Sequence, residues 1–207
     1  MTMTMSKQQF FNAWASSYDW LLPSVFYQAA HQHMMDYVDL KERASVLDIG
    51  CGTGRLLYRL NDRYPGINGI GIDFSLQMLR QARQQRGDRT RLIFIQGRAD
   101  SLRFADEQFD TVFCTFSFMH YPDPDRVLAE VYRVLKPGGQ FYLLDPLLSL
   151  LDPLLSSAYR IQHLPLSPRG IRFYSAGDRD ALAQHANFGP GRHYPIFFVS
   201  LLSIFEK

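Results

Sequence analysis

Between residues 45 and 144 short β-branched or apolar runs alternate with stretches of helical period, and this alternation restricts the fold more than any other feature of the chain. Strands are expected near 45–49, 68–72, 92–96, 109–115 and 140–144, with helices near 53–63, 75–85 and 124–135 between them. Parallel strands need a crossover to join them, so strand–helix–strand repeats imply a doubly wound, mainly parallel α/β sheet. The helix at 124 carries its own start signal. Asp123 can cap it, Pro124 suits the first turn, and Val127, Leu128, Val131 and Leu135 form an apolar stripe.

In such a sheet, ligands bind beyond the carboxyl ends of the strands, near the point where strand order reverses. Four segments fall at such ends. The first is Val46-Leu-Asp48-Ile-Gly50-Cys51-Gly52-Thr-Gly54, an apolar run, an acid and three alternate glycines. Alternate glycines let the backbone turn tightly and approach a ligand closely, because no Cβ intervenes. A pyrophosphate loop gathers donors and avoids carboxylates, whereas Asp48 suits an ammonium or sulfonium group. That points to S-adenosylmethionine rather than a dinucleotide. The second segment ends at Asp73, 23 residues after Gly50, where a carboxylate can accept from both ribose hydroxyls. The third holds Asp100, placed to accept from an adenine amino group, with the backbone of Ser101 and Leu102 beside it. The fourth is Thr115-Phe-Ser-Phe-Met-His120, followed by Tyr121-Pro122. Each feature alone has an ordinary reading as a turn, a cap, a surface acid or a solvated histidine. Three acids in succession at three strand ends, with the glycine loop first, make a pattern.

At 207 residues, 46% hydrophobic and 20% charged, the chain fits one globular domain with a substantial core. A net charge of +2 gives no reason to invoke nucleic acid. The arginines at 80, 83, 86, 89 and 91 lie on and after the second helix and read as a solvated face. Cys51 and Cys114 suggest neither a disulfide framework nor a metal site. No apolar run reaches the roughly 18 residues that span a bilayer, and the first residues are not a signal peptide, so a cytoplasmic protein without stable membrane insertion is expected.

The ends of the chain differ from its middle. Phe10, Trp14 and Tyr18 stack on one helical face, and Phe26, Ala30, Met34 and Val38 continue a second helical pattern, so residues 1–40 are expected to form a helical lid over a domain at 41–207. Residues 175–187 look like a further helix, with Ser175 and Asp178 at capping-box spacing. Residues 194–205 are almost wholly apolar and can supply part of a terminal antiparallel hairpin. Residues 143–156 are LLDPLLS written twice, either a packed helix–loop duplication or an apolar wall over a lipophilic substrate.

These motifs together resemble the class I S-adenosylmethionine-dependent methyltransferases, in the small-molecule group that includes the ubiquinone/menaquinone-biosynthesis type. Val46–Gly54 resembles the family's first motif and Gly69–Ser75 its acidic second one. Gly97–Phe104 with Phe109-Asp110 resembles the adenine-side segment, Arg133–Tyr142 the late motif, and Trp14–Asp19 the amino-terminal element whose tyrosine covers the cofactor. The resemblance implies a seven-stranded Rossmann-like sheet with its last strand antiparallel. It assigns Asp48, Gly50 and Gly52 to the methionine moiety, Asp73 to the ribose, Asp100 and Ser101 to the adenine, Phe74 and Met78 to apolar walls, and Tyr18 to a cover. Cys51, Gly54, Leu102 and Thr115 complete the expected cofactor contacts, with no metal. Lys136-Pro-Gly-Gly139 is expected to be structural, turning a helix into strand five.

A sulfonium methyl is already activated, so the task is in-line positioning of an acceptor, which can contribute roughly 7–11 kcal/mol. Loss of the methyl leaves S-adenosylhomocysteine. His120 is the candidate base or substrate contact, with Tyr18 and Tyr121 as further contacts. The aromatic amino terminus and the leucine-rich repeat suit a small apolar or aromatic acceptor. Two other readings stay open: a catalytically silent module that binds the same cofactor, and a membrane-surface methyltransferase for a lipid quinone. A nicotinamide oxidoreductase fits less well, since its third glycine sits one residue further on and it leaves Asp48 and Asp100 without purpose.

Overall fold

A computed structural model describes residues 22–147, 171–197 and 199–207. The aromatic segment through Tyr18, expected to be helical, and the second LLDPLLS copy lie outside the described residues. Helix α1 (Leu22–Met34) runs into a 3-10 turn at Met35–Tyr37. Then follow β1 (Ser45–Ile49), α2 (Arg55–Arg63), β2 (Asn68–Asp73), α3 (Leu76–Gln85), β3 (Leu92–Gln96) and β4 (Phe109–Thr115). A 3-10 turn at Phe118–His120 leads to α4 (Pro124–Val134), β5 (Leu135–Pro146), α5 (Ala176–His185), β6 (Arg192–Ile196) and β7 (Ser200–Glu206).

The seven strands form one sheet in the order β3-β2-β1-β4-β5-β7-β6. Neighbours from β3 to β5 pair in parallel, and β7 pairs antiparallel with both β5 and β6. The apolar run at 194–205 is therefore a hairpin interrupted by a turn, as its length required. Order reverses between β1 and β4, so the glycine loop after β1 and the residues after β4 share one crevice.

Alternation along the strands divides the core between two faces. Val46, Phe94, Phe113 and Tyr142 pack under α1, α2 and α3 with Met34, Leu57 and Leu79. Leu47, Val112, Cys114 and Phe141 pack on the other face under α4 and α5 with Leu128, Val131 and Ala183. Burying each large apolar side chain of this kind contributes about 1.5–3 kcal/mol. The caps are where the sequence places them. Asp123 accepts from the Arg126 N–H, Ser75 accepts from the Met78 N–H, and Ser175 and Asp178 close a reciprocal capping box.

Three expectations need correction. Strand β5 begins at Leu135, not at residue 140, and Lys136–Gly139 is an excursion within it: Phe109 pairs with Leu135, but Thr111 already pairs with Gln140. Gly138, at φ 72°, donates its N–H to the Lys207 carbonyl and stitches this excursion to the last residue of the chain. The first LLDPLLS copy is not a lid in its first half, since Leu143–Pro146 complete β5. The arginine-rich face is not merely solvated. Arg83 donates twice to the Phe94 carbonyl, at 3.1 and 2.7 Å, Arg86 donates to that of Leu92, and Arg89 pairs with Asp62.

Candidate active site

Gly50, Gly52 and Gly54 all hold φ between 52° and 81°, the left-handed region that side chains avoid. At Gly50 close approach adds a second requirement: a Cβ would sit 2.6 Å from Ser117 Cβ and Oγ. Ser117 in turn donates to the Ile49 carbonyl and accepts from the Tyr121 hydroxyl, so the loops after β1 and β4 are locked together. The glycine loop is held down by its own donors. Gly50 and Cys51 donate to the Ile72 carbonyl, Gly52 to Asp73 Oδ2, and Gly54 to the Cys51 carbonyl. A phosphate cradle needs such N–H groups free and pointing outward. Here they face inward, so the loop is a poor anion site.

The acid before the loop has the opposite property. Asp48 is 1% exposed, and neither carboxylate oxygen has a hydrogen-bond partner among the described residues. Burial, helped by the charge of Asp73, pushes its pKa up to about 8. An orphaned buried carboxyl costs stability unless a donor arrives. Asp73, at the end of β2, accepts from the Gly52 and Ser75 N–H groups at 2.9 and 2.8 Å. A carboxylate offers about four lone-pair sites, so Asp73 can still accept from an incoming hydroxyl.

Adjoining hollows run along this edge of the sheet. One of about 320 Å³ is lined by Gly50, Asp73, Phe74, Asp100, His120 and Pro122 among others. Its size falls in the range of small-molecule pockets. A smaller one of about 50 Å³ shares Gly50 and is bordered by Tyr27, His31, Asp48, Cys51, Gly52, Arg55, Thr115 and Phe116. A third, about 480 Å³, shares Phe74 and Arg98 and reaches Ser101 and Leu102.

The expected residues thus divide among the three hollows. Asp48, Cys51, Gly52 and Thr115 gather at the smallest, Asp73, Phe74 and Asp100 at the one of about 320 Å³, and Ser101 and Leu102 at the third, while Gly50 joins the first two. Gly54 and Met78 border none of the three: Gly54 faces the Phe94 ring, and Met78 is buried in the first turn of α3. The N–H groups of Ser101 and Leu102 are already bonded, to the Arg98 carbonyl at 3.3 Å and to Glu130 Oε2 at 2.6 Å, and neither is left for an adenine edge. Asp100 is engaged by the Arg98 guanidinium at 2.9 and 2.5 Å, which holds its carboxyl below the usual range. His120 lines the hollow of about 320 Å³ and not the one beside Asp48. Its 3-10 turn is pinned from behind, because the Met119 N–H donates to Asp145 Oδ2 at 2.8 Å.

Two groups escaped the sequence reading. His31 of α1 reaches Thr115 Oγ1 at 2.9 Å, at the end of β4. Asp145 is a fourth strand-end acid, 2% exposed, with a pKa pushed up by burial to about 7. Behind it Arg179, itself 1% exposed, donates to the carbonyls of Tyr174, Leu143, Leu201 and Asp145 and to Ser203 Oγ. Asp145 had a signal, an acid closing a β-prone run, hidden inside the LLDPLLS repeat.

The strand order, the inward-bonded glycine loop and the acids at successive strand ends define a class I methyl-donor-binding domain. Residues 47–143 match the family model described as a methyltransferase domain. The chain is 43% identical over 101 residues to a demethylmenaquinone methyltransferase of Deinococcus radiodurans, covering 48% of this chain and 42% of that one. It is 34% identical over 125 residues to the sterol 24-C-methyltransferase erg6 of Aspergillus fumigatus, covering 56% and 32%. The matched parts span less than half the length of these two relatives. An S-adenosylmethionine-dependent methyltransferase from Aquifex aeolicus superposes with a TM-score of 0.74 at 19% identity, over 94% of this chain and 97% of that one, and speaks for the fold alone. Over residues 47–143 this chain is similar to the class I S-adenosylmethionine-dependent methyltransferases, and the same comparisons support S-adenosylmethionine as its cofactor. Among the described residues no helix is long and apolar enough to cross a membrane, and no cluster suits a metal ion.

Proposed function

We propose that this protein transfers the methyl group of S-adenosylmethionine to a small apolar or aromatic molecule. The observation that carries the reading is Asp48: a buried carboxyl without a hydrogen-bond partner among the described residues, beside a loop whose Gly50, Cys51, Gly52 and Gly54 N–H groups are already bonded within the protein. A cationic methionine end meets both conditions. Bound there, the cofactor supplies a methyl already activated by its sulfonium.

The chain's own residues then bind and orient. Asp48 takes the ammonium and gives up the proton that burial keeps on it. Arg55, in the first turn of α2, borders the same hollow and brings the charge to meet a carboxylate. Asp73 accepts from the ribose hydroxyls while still holding the glycine loop. Phe74 and Pro122 wall the nucleoside hollow, and Asp100 sits at its rim. His120 belongs to that nucleoside wall in this reading, not to proton transfer. Tyr27, Phe26 and Phe116 give the methyl end an aromatic border. That border supports an apolar acceptor, and relatives named for demethylmenaquinone and sterol methylation point the same way.

The test is product identification. The enzyme is incubated with metabolite extract and S-adenosylmethionine carrying a deuterated methyl, and products are read by mass spectrometry. A labelled organic product with stoichiometric S-adenosylhomocysteine is expected. Cofactor binding without any labelled product in any extract supports the silent binding module instead.

A further inference from the structure

One wall of the small hollow is not explained by the cofactor. Tyr27 and His31, four residues apart on α1, hang over the end of β4. His31 is 8% exposed, its Nε2 meets Thr115 Oγ1, and its Nδ1 has no hydrogen-bond partner among the described residues. Burial, with the nearby Arg59 adding to it, pushes the ring's pKa down to about 3, so the imidazole is uncharged at neutral pH. Tyr27 stacks on Phe116 with ring centroids 4.2 Å apart and planes at 28°. Phe116 holds φ 52°, a conformation bulky residues avoid, and is fixed there by its N–H bond to the Leu144 carbonyl at 2.7 Å. Backbone strain of this kind collects where a side chain must be aimed.

We propose that Tyr27, His31 and Phe116 form the methyl-acceptor subsite, and that it selects an uncharged, flat aromatic molecule bearing a hydroxyl or oxo group. The inference rests on the methyltransferase reading above. The void beside them is about 50 Å³, far below the roughly 300 Å³ of ordinary ligand pockets. Tyr27 therefore holds the place of the acceptor ring. When the acceptor enters, Tyr27 yields and the acceptor stacks on Phe116, an arrangement aromatic pairs favour. His31 Nδ1 then makes one hydrogen bond to the acceptor oxygen, as donor or acceptor according to its tautomer. In the complex with S-adenosylhomocysteine, which lacks the sulfonium charge, an anionic acceptor finds a neutral ring where it needs a cation, since Arg55 is assigned to the cofactor. Selection thus comes from leaving the wrong ligand desolvated and unpaired.

The test uses 1-naphthol and 1-naphthoate as probes, titrated into the full chain saturated with S-adenosylhomocysteine. Naphthol is expected to bind the wild type at least about tenfold more tightly than naphthoate, the difference one buried hydrogen bond and one unpaired charge can make. His31→Leu should weaken naphthol binding about tenfold, with a smaller effect on S-adenosylhomocysteine, and His31→Gln should recover most of the loss. Equal binding of the two probes by the wild type, which needs no variant to fold, overturns the subsite. So does a His31→Leu protein that binds naphthol as well as the wild type. Failure of S-adenosylhomocysteine itself to bind overturns the methyltransferase reading together with this one, whereas cofactor binding without probe selectivity overturns this one alone.

Discussion

At Asp48 a buried carboxyl, without a hydrogen-bond partner among the described residues, lies beside a loop whose Gly50, Cys51, Gly52 and Gly54 N–H groups are already bonded within the protein. Asp48→Asn keeps the shape and removes the charge. Truncating one side of a buried charge pair costs about 2–5 kcal/mol, so S-adenosylmethionine affinity should fall at least about 30-fold, read by calorimetry. Gly50→Ala should cost at least about 1–2 kcal/mol of stability, since it places a side chain at φ 71° and within 2.6 Å of Ser117. Chemical denaturation measures that directly. For His120, on the nucleoside side, replacement by Ala should raise the KM for the cofactor several-fold and leave kcat near wild type. A collapse of kcat at saturating cofactor would restore it as a base. The role proposed for Asp48 is legible in the sequence because its chemistry is local, an acid wedged between a β-run and glycines. That of His31 was not. A histidine on an amphipathic helix becomes informative only when the tertiary fold lays α1 over the end of β4.

At the scale of elements the strand–helix alternation and the capping residues could be read directly, because hydrophobic period and caps depend on neighbours in sequence. Strand β5 could not. Lys136–Gly139 looks like a helix-to-strand turn, and its excursion inside β5 depends on pairing with β4 and on Lys207, neither near in sequence. The same holds for Arg179 of α5, which carries no signal in the sequence and is the buried tie between β5 and β7. Its replacement by Met deprives four backbone carbonyls and Ser203 Oγ of a donor. At least about 1–3 kcal/mol of stability should be lost, seen as a fall in the denaturation midpoint. An unchanged midpoint would show that the network contributes nothing.

For the molecule as a whole, the strand-end acids set a pH dependence. Between the ordinary carboxylate value of about 4 and about 8, the folded chain keeps a proton on Asp48 that the unfolded chain has released. Stability of the unliganded protein therefore falls as pH rises through that window. Asp145, raised to about 7, adds to the same trend. Glu130, held below its usual value by Arg133, acts in the opposite sense at the acid end. His31, pushed down to about 3, does so up to its ordinary value of about 6.5. Over roughly pH 5–6.5 it offsets one of the two raised acids, and the other still carries the decline. The melting temperature without ligand should decline from pH 5 to pH 8, and Asp48→Asn should flatten the decline. The central claim, that the sheet edge is built for a cationic methyl donor held by Asp48, is tested most directly by titrating S-adenosylmethionine and NAD into wild type and Asp48→Asn at one pH. One S-adenosylmethionine per wild-type chain, binding at least about 30-fold weaker in the variant, and no heat from NAD is the expected result. Binding of NAD without S-adenosylmethionine, or equal affinity in the variant, would contradict it.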